Sequence, residues 1–240
     1  MRVVSVADRP DLAGELWTFA DGWPPFMLED PVGSLLGPIS QRYARLQLLL
    51  LDDSARCVGK AHAAGFDWDG REESLPARGW DEVLLRAVGT VTPTAVSALE
   101  ISVRPELRGQ GLSGVLLRAL REAVAEMGLT DLFAPVRPSQ KASAPLVPME
   151  EYVHQVRADG LPVDPWLRVH VRAGGRIVRV CPLSMTITGS LPEWRSWTGL
   201  PFDISGEVVV PGALVPVTVS VPRDLGIYVE PNVWVRHHLP

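Results

Sequence analysis

Cysteine is nearly absent: Cys57 and Cys181 are the two in 240 residues. They stand far apart, with no CxxC pair and no adjacent histidine, so neither a zinc site nor a disulfide framework is indicated and buried free thiols are expected. Long apolar runs are also lacking. The longest, Leu46 to Leu51, is interrupted by Gln47 and is too short to cross a bilayer. The opening MRVVSVADRPDLAGEL has no apolar core of the signal-peptide kind, so a cytoplasmic protein with no membrane association is expected. Nor is there a basic excess. With 23 basic and 28 acidic residues the net charge is −5, which removes any general attraction for nucleic acid while leaving room for a local basic patch. Internal repeats and low-complexity segments are missing too.

What is present describes a globular α/β chain. Apolar residues make up 46% and charged residues 21%, and 21 glycines and 22 prolines imply many turns and long loops. A chain of this length buries a substantial core as one domain.

The most informative stretch is ISVRPELRGQGLSGVLLRALREAVAEM, residues 101–127. An apolar strand, Ala95 to Val103, runs into a Gly-rich turn that opens directly into an amphipathic helix. In that helix Leu112, Leu116, Leu120, Val124 and Met127 recur every three or four residues, while Arg118, Arg121, Glu122 and Glu126 are expected in solvent. Gly128 ends it. The first N–H groups of a helix have no internal partner and carry a partial positive charge, so an anion is favoured there. Arg108 adds a full charge, and Gly109, Gly111 and Gly114 carry no Cβ to block the backbone. A pyrophosphate suits such a turn.

Two familiar phosphate loops fit poorly. A P-loop needs Lys-Ser/Thr after its last glycine, and here Leu112 and Ser113 follow Gly111. Gly109, Gly111 and Gly114 match G-x-G-x-x-G, but that pattern alone is weak, with Asp131 a merely formal candidate for its acidic partner. Gly111-Leu112-Ser113-Gly114 is not a nucleophile elbow either.

Arg108-Gly109-Gln110-Gly111-Leu112-Ser113, preceded by Val103-Arg104-Pro105-Glu106, resembles the acyl-CoA-binding motif Arg/Gln-x-x-Gly-x-Gly/Ala of the GNAT (GCN5-related N-acetyltransferase) superfamily. Ser113 departs from the usual Gly or Ala. Residues 167–180, LRVHVRAGGRIVRV, resemble that family's last helix and following strand, with Gly174 in place of the family glycine, Gly175 replacing an aromatic and His170 replacing a frequent tyrosine. The resemblance implies a GNAT fold: a central mixed, twisted sheet flanked by helices, in one domain over 1–240. It carries an insertion over about 135–165, before the last core helix, and its C-terminal strands over about 176–221 belong to the same domain.

It also implies the chemistry, which is direct transfer of an acetyl or other acyl group from acyl-CoA to the amine of a small molecule in a ternary complex, without a metal. The implied cofactor-binding residues are Ile101, Val103, Arg108, Gly109, Gln110, Gly111, Leu112, Ser113 and Gly114. Ile101 and Val103 would pair the pantetheine arm like an added strand, with the Val103 N–H as oxyanion donor. His170 is the candidate acid that returns a proton to sulfur. Glu100 is the candidate base through water, although strand alternation puts it on the face opposite Ile101 and Val103. Tyr152 and His154 either line the acceptor pocket or belong to an amphipathic surface. A carrier-protein thioester or aminoacyl-tRNA as donor, a non-catalytic acyl-CoA-binding protein, and a homodimer all stay open.

Elsewhere the pattern predicts a strand over Arg2 to Val6 and a helix over Asp11 to Asp21 with Leu12, Leu16, Phe19 and Ala20 inward. It predicts a loop or broken helix over Trp23 to Gly37, strands over Leu46 to Asp52, Val58 to Phe66 and Leu132 to Val136, and a short helix over Met149 to Ala158. Asp164-Pro165 should start another helix. Strands over Ile177 to Val180, Met185 to Thr188, Glu207 to Pro211 and Val215 to Val221 close the chain, with a helical turn over Glu193 to Thr198 in which Trp194 and Trp197 pack together. Arg137 and Lys141 are either solvated or touch phosphate or an anionic acceptor, and His237-His238 is expected as a solvated tail.

Overall fold

The computed structural model describes residues 1–18 and 22–239. One mixed sheet runs through it, in the order β1-β2-β3-β4-β5-β9-β8-β7, with β6 pairing β9 on its other edge. The strands are β1 (Arg2–Ser5), β2 (Leu48–Leu51), β3 (Cys57–Phe66), β4 (Ala95–Val103), β5 (Asp131–Val136), β6 (Arg176–Gly189), β7 (Gly206–Val208), β8 (Val217–Ser220) and β9 (Leu225–His238). The helices are α1 (Glu15–Thr18), α2 (Leu36–Arg42), α3 (Gly79–Gly89), α4 (Leu112–Glu126), α5 (Met149–Tyr152), α6 (Pro165–Arg172) and α7 (Leu191–Thr198).

The β4-turn-α4 unit follows the sequence pattern. Leu112, Leu116, Leu117, Leu120 and Val124 are buried, and each such side chain contributes about 1.5–3 kcal/mol by leaving water. Met127 is exposed, because the stripe has rotated off the sheet by the last turn. Gly128 takes φ +73°, as its place after the helix requires. Arg121, expected in solvent, is half-buried and donates to the Ala173 carbonyl at 2.6 Å, which ties α4 to the end of α6.

β4 and β5 are parallel, yet they pair only at Val96 with Leu132 and Ser97 with Phe133. Beyond Ser97 the two strands separate. Pro135 removes one ladder donor from β5, and β4 is irregular in the same region: its register against β3 jumps at Leu99, so that Ala98 opposes Ala63 while Glu100 opposes His62. The result is a V whose open end faces the Gly-rich turn.

Several expectations are corrected. The helix over Asp11 to Asp21 is a 3₁₀ turn at Pro10–Leu12 followed by α1; Phe19, Ala20 and Asp21 lie outside the described residues. The helix expected over Met149 to Ala158 ends at Tyr152. Ile177 to Val180 and Met185 to Thr188 are parts of one long strand, β6, with its register broken between Cys181 and Met185. The chain closes on β9, not near Val221. Its residues 233–238 pair with β5, residues 226–236 with β6, and residues 225–227 with β8, so His237 is buried within the sheet. The same strand explains why Trp194 is buried, since its indole N–H donates to Gly226 O at 3.0 Å. Its ring centroid lies 5.1 Å from that of Trp197, the pair expected from sequence.

Candidate active site

The Gly-rich turn is built to expose backbone. Gly109 and Gly111 take φ +81° and +78°, and a Cβ at either would meet nothing within 4 Å. Gly111 is the residue from which α4 starts, and it brings no side chain to cap the helix. The first N–H groups of α4 therefore point to the space above the turn. Gly114 is equally open on its outer side, with only the Arg118 guanidinium 3.8 Å away. Ser113 is half-buried, Gln110 is exposed, and the Leu112 side chain packs into the core, so Leu112 can take part only through its N–H. Arg108 is exposed on the same turn, and its Nε lies 3.4 Å from Val103 O. The guanidinium thus bends back over the end of β4, beside Gly22.

The faces of β4 follow from its neighbours. Gly59 of β3, the cross-strand partner of Val103, lies against Leu116 of α4, so Val103, and Ile101 two residues before it, share the α4 face. The Arg104 N–H donates to Val58 O on β3 at 3.1 Å. Amides alternate sides along a strand, so the N–H groups of Ile101 and Val103 point the other way, into the V.

Glu100 lies on the opposite face, at the centre of a polar cluster. Its Oε1 accepts from Ser102 Oγ at 2.6 Å and from Trp23 Nε1 at 3.2 Å, and the Lys60 ammonium is 3.4 Å away. Its Oε2 lies 3.8 Å from His62 Nε2. Burial works to raise its pKa, but His62 first, then Lys60 and these donors, outweigh it and hold the carboxylate ionised. Lys60 also donates to Leu16 O at 3.0 Å, and the His62 and Trp17 rings are 5.2 Å apart, so α1 covers this face.

Trp23 links Glu100 to a second group. Its ring carries the Arg137 guanidinium at 5.5 Å, and Arg137 donates to both carboxylate oxygens of Glu230, at 3.1 and 2.9 Å. Glu230 also accepts from Tyr228 Oη and Asn232 Nδ2. Nearby, Asp30 and Asp81 are both buried, and burial together with the neighbouring Asp30 carboxylate pushes Asp81 up to about 8. Trp80, next in sequence, donates from its indole to Leu99 O at the break in β4.

Other expected site residues lie elsewhere. His170 is fully buried, its Nδ1 2.9 Å from His237 Nε2, at the paired end of the V, where His237 opposes Leu132 of β5. Burial and His237 lower its pKa to about 3, so it holds no proton to return to sulfur at neutral pH; this setting speaks against the acid role. Tyr152 is buried and donates to Asp164, which also caps α6 and accepts from the Gln140 N–H. It is an organiser of the 137–164 segment. His154 lines an outer groove of about 830 Å³ between that segment and β6, separated from β4 by β5 and β9. Lys141 is buried, donating to Ala144 O and Leu214 O, and Arg137 is committed to Glu230, so neither is solvated and neither reaches the phosphate turn. Lys60 and His62 carry no expectation from sequence. They stand two apart in an otherwise apolar strand, and that alternation is the signal that could have found them.

A mixed sheet that opens beyond one parallel pair, with a glycine turn and a helix start at its mouth, is the architecture of the GNAT fold. No family model matches the sequence. The arginine N-acetyltransferase avaD of Aspergillus versicolor is 33% identical, across 97% of this chain and 92% of that protein. The chain belongs to the GNAT superfamily. In fold it is similar to the loading GNATL domain of CurA from Lyngbya majuscula, at TM-score 0.64 and 20% identity over 99% of this chain and 96% of that one. The GphF GNAT-like decarboxylase, solved with isobutyryl-CoA, gives TM-score 0.61 and 20% identity over the full length of both chains.

Proposed function

We propose that this protein transfers an acyl group from acyl-CoA to the amine of a small cationic molecule of the arginine type. The observation that carries the reading is the two-faced V of β4. In the gap between β4 and β5 the amides of Ile101 and Val103 meet the pantetheine arm, and the amides after Gly111, with Arg108, hold the pyrophosphate. On the face opposite α4 Glu100 waits behind Trp23 for an ammonium.

An amine acceptor is protonated at neutral pH and must lose a proton before its lone pair attacks the thioester carbon. Glu100 takes that proton directly or through water. The oxyanion that then forms is met by a β4 amide that points into the gap of the V. The similarity to an arginine N-acetyltransferase supports a cationic acceptor, and so does the ionised Glu100 carboxylate on this face. The Tyr152 and His154 region takes no part.

The test is thiol release from acetyl-CoA against a panel of amines that includes arginine, with mass spectrometry of the product. Release with arginine and an acetylated product supports the reading. Thermal stabilisation by CoA with no release from any amine would leave a binding protein, and acylation of a carrier-protein thiol alone would move the protein to the carrier-linked alternative.

A further inference from the structure

His62 is fully buried in β3, and the proton on its ring is dictated by its neighbours. The side-chain amide of Gln47 donates through Nε2 to Tyr43 O at 2.9 Å and to Ala63 O at 2.8 Å, which uses both of its hydrogens. Its Oε1 must therefore accept, and that oxygen lies 2.9 Å from His62 Nδ1. Nδ1 consequently carries the hydrogen, leaving Nε2 a bare lone pair. That lone pair is buried, has no hydrogen-bond partner and faces Glu100 Oε2 at 3.8 Å.

Two acceptors face each other at 3.8 Å, and a proton shared between them would draw them into hydrogen-bond distance. Among the described residues the charged groups facing the ring are Glu100 from β4 and Lys60 from its own strand; α1 presents Trp17 and α2 presents Ser40. We propose that His62 is the buried end of a two-residue proton relay whose outer end is Glu100, with Gln47 as the positioning residue that fixes its tautomer. This rests on the transferase reading above.

The acceptor ammonium gives a proton to the Glu100 carboxylate, and the resulting acid passes it to His62 Nε2, leaving an imidazolium beside a carboxylate. The freed amine forms the C–N bond at the thioester carbonyl carbon. The C–S bond breaks with its electron pair on sulfur, and the second amine proton goes to the thiolate. The proton on His62 returns to solvent through Glu100 after the products leave. Burial lowers the His62 pKa to about 4 against the opposing pull of Glu100, with Lys60 adding to the lowering, so the lone pair is available throughout the neutral range.

The deciding variant is His62→Gln in the full chain. Its amide nitrogen, placed where Nε2 was, turns a donor toward Glu100 in place of the lone pair and cannot take up a proton. The relay predicts a fall in kcat of about 100-fold, the scale of general-base catalysis, with KM and melting temperature close to wild type. A kcat within twofold of wild type at every pH would overturn it. If the variant fails to fold, the ¹⁵N shifts of His62 in the wild-type protein decide: a bare Nε2 with a protonated Nδ1 supports the relay, and the reverse tautomer overturns it. A wild-type protein inactive on every amine would overturn the transferase reading and the relay with it, whereas an active wild type with an unimpaired His62→Gln would overturn the relay alone.

Discussion

At the scale of single residues, the site divides by which groups are charged and which are held neutral. Arg108 brings a permanent charge to the glycine turn, and Glu100 a carboxylate kept ionised by His62 and by Lys60 3.4 Å away. Arg108→Ala should weaken CoA binding about tenfold or more, the worth of a charge-assisted contact of roughly 1.5–3 kcal/mol. Calorimetric titration with CoA measures this. Arg108 was legible in the sequence because its meaning is local: the residues around it are the motif. His170 was not. Its position before Gly174 marks it, but its chemistry comes from His237, 67 residues away, and no spacing rule reports that neighbour. Lys141 misled for the same reason, since its ammonium turns inward to the carbonyls of Ala144 and Leu214.

At the scale of elements, the working part is the junction of β4, its glycine turn and α4. Gly111 holds φ +78° with open space where a Cβ would stand, so Gly111→Ala would be strained by the backbone and not by a clash. That conformation costs a side-chain-bearing residue about 1–2 kcal/mol. For a chain of this size a fall in melting temperature of a few degrees follows, at roughly 2–4 °C per kcal/mol. Calorimetry without and with CoA separates that fall from the added loss of affinity expected when a methyl group enters the cradle. The β4-α4-β5 unit was readable because strand, turn and helix each carry their own period. The break in β4 at Leu99 was not, because a bulge is set by pairing with β3 and leaves no mark in composition. β9 also escaped notice: a strand buried on both faces does not alternate, and Pro231 and the paired histidines resemble a tail.

Across the whole molecule, the buried ionisable groups set how stability depends on pH. Burial lowers His62, His170 and His237 to about 4, 3 and 4, against about 6.5 in the unfolded chain. The unfolded state therefore binds more protons between those values, and stability from these groups is present above about pH 6.5 and lost as the pH falls toward 4. Asp81, raised to about 8 by burial and the Asp30 carboxylate, runs the other way: the folded chain keeps a proton that the unfolded chain has released, so its contribution is lost progressively above about pH 4 and is gone by about pH 8. Urea midpoints should peak at about pH 6.5 and fall on both sides, steeply toward acid and gently up to about pH 8, and replacing His170 and His237 together by apolar residues should flatten the acid side. The central claim concerns the open V, which can be observed without any acceptor. Amide hydrogen exchange followed by NMR, with and without CoA, reports each β4 amide separately. The account predicts that CoA slows exchange at Ile101 and Val103, whose amides face the gap, and at Leu112 and Ser113 at the start of α4, while Ser102, already facing β3, hardly changes. Protection that appears instead along the outer groove beside β6, with Ile101 and Val103 unaltered, would contradict it.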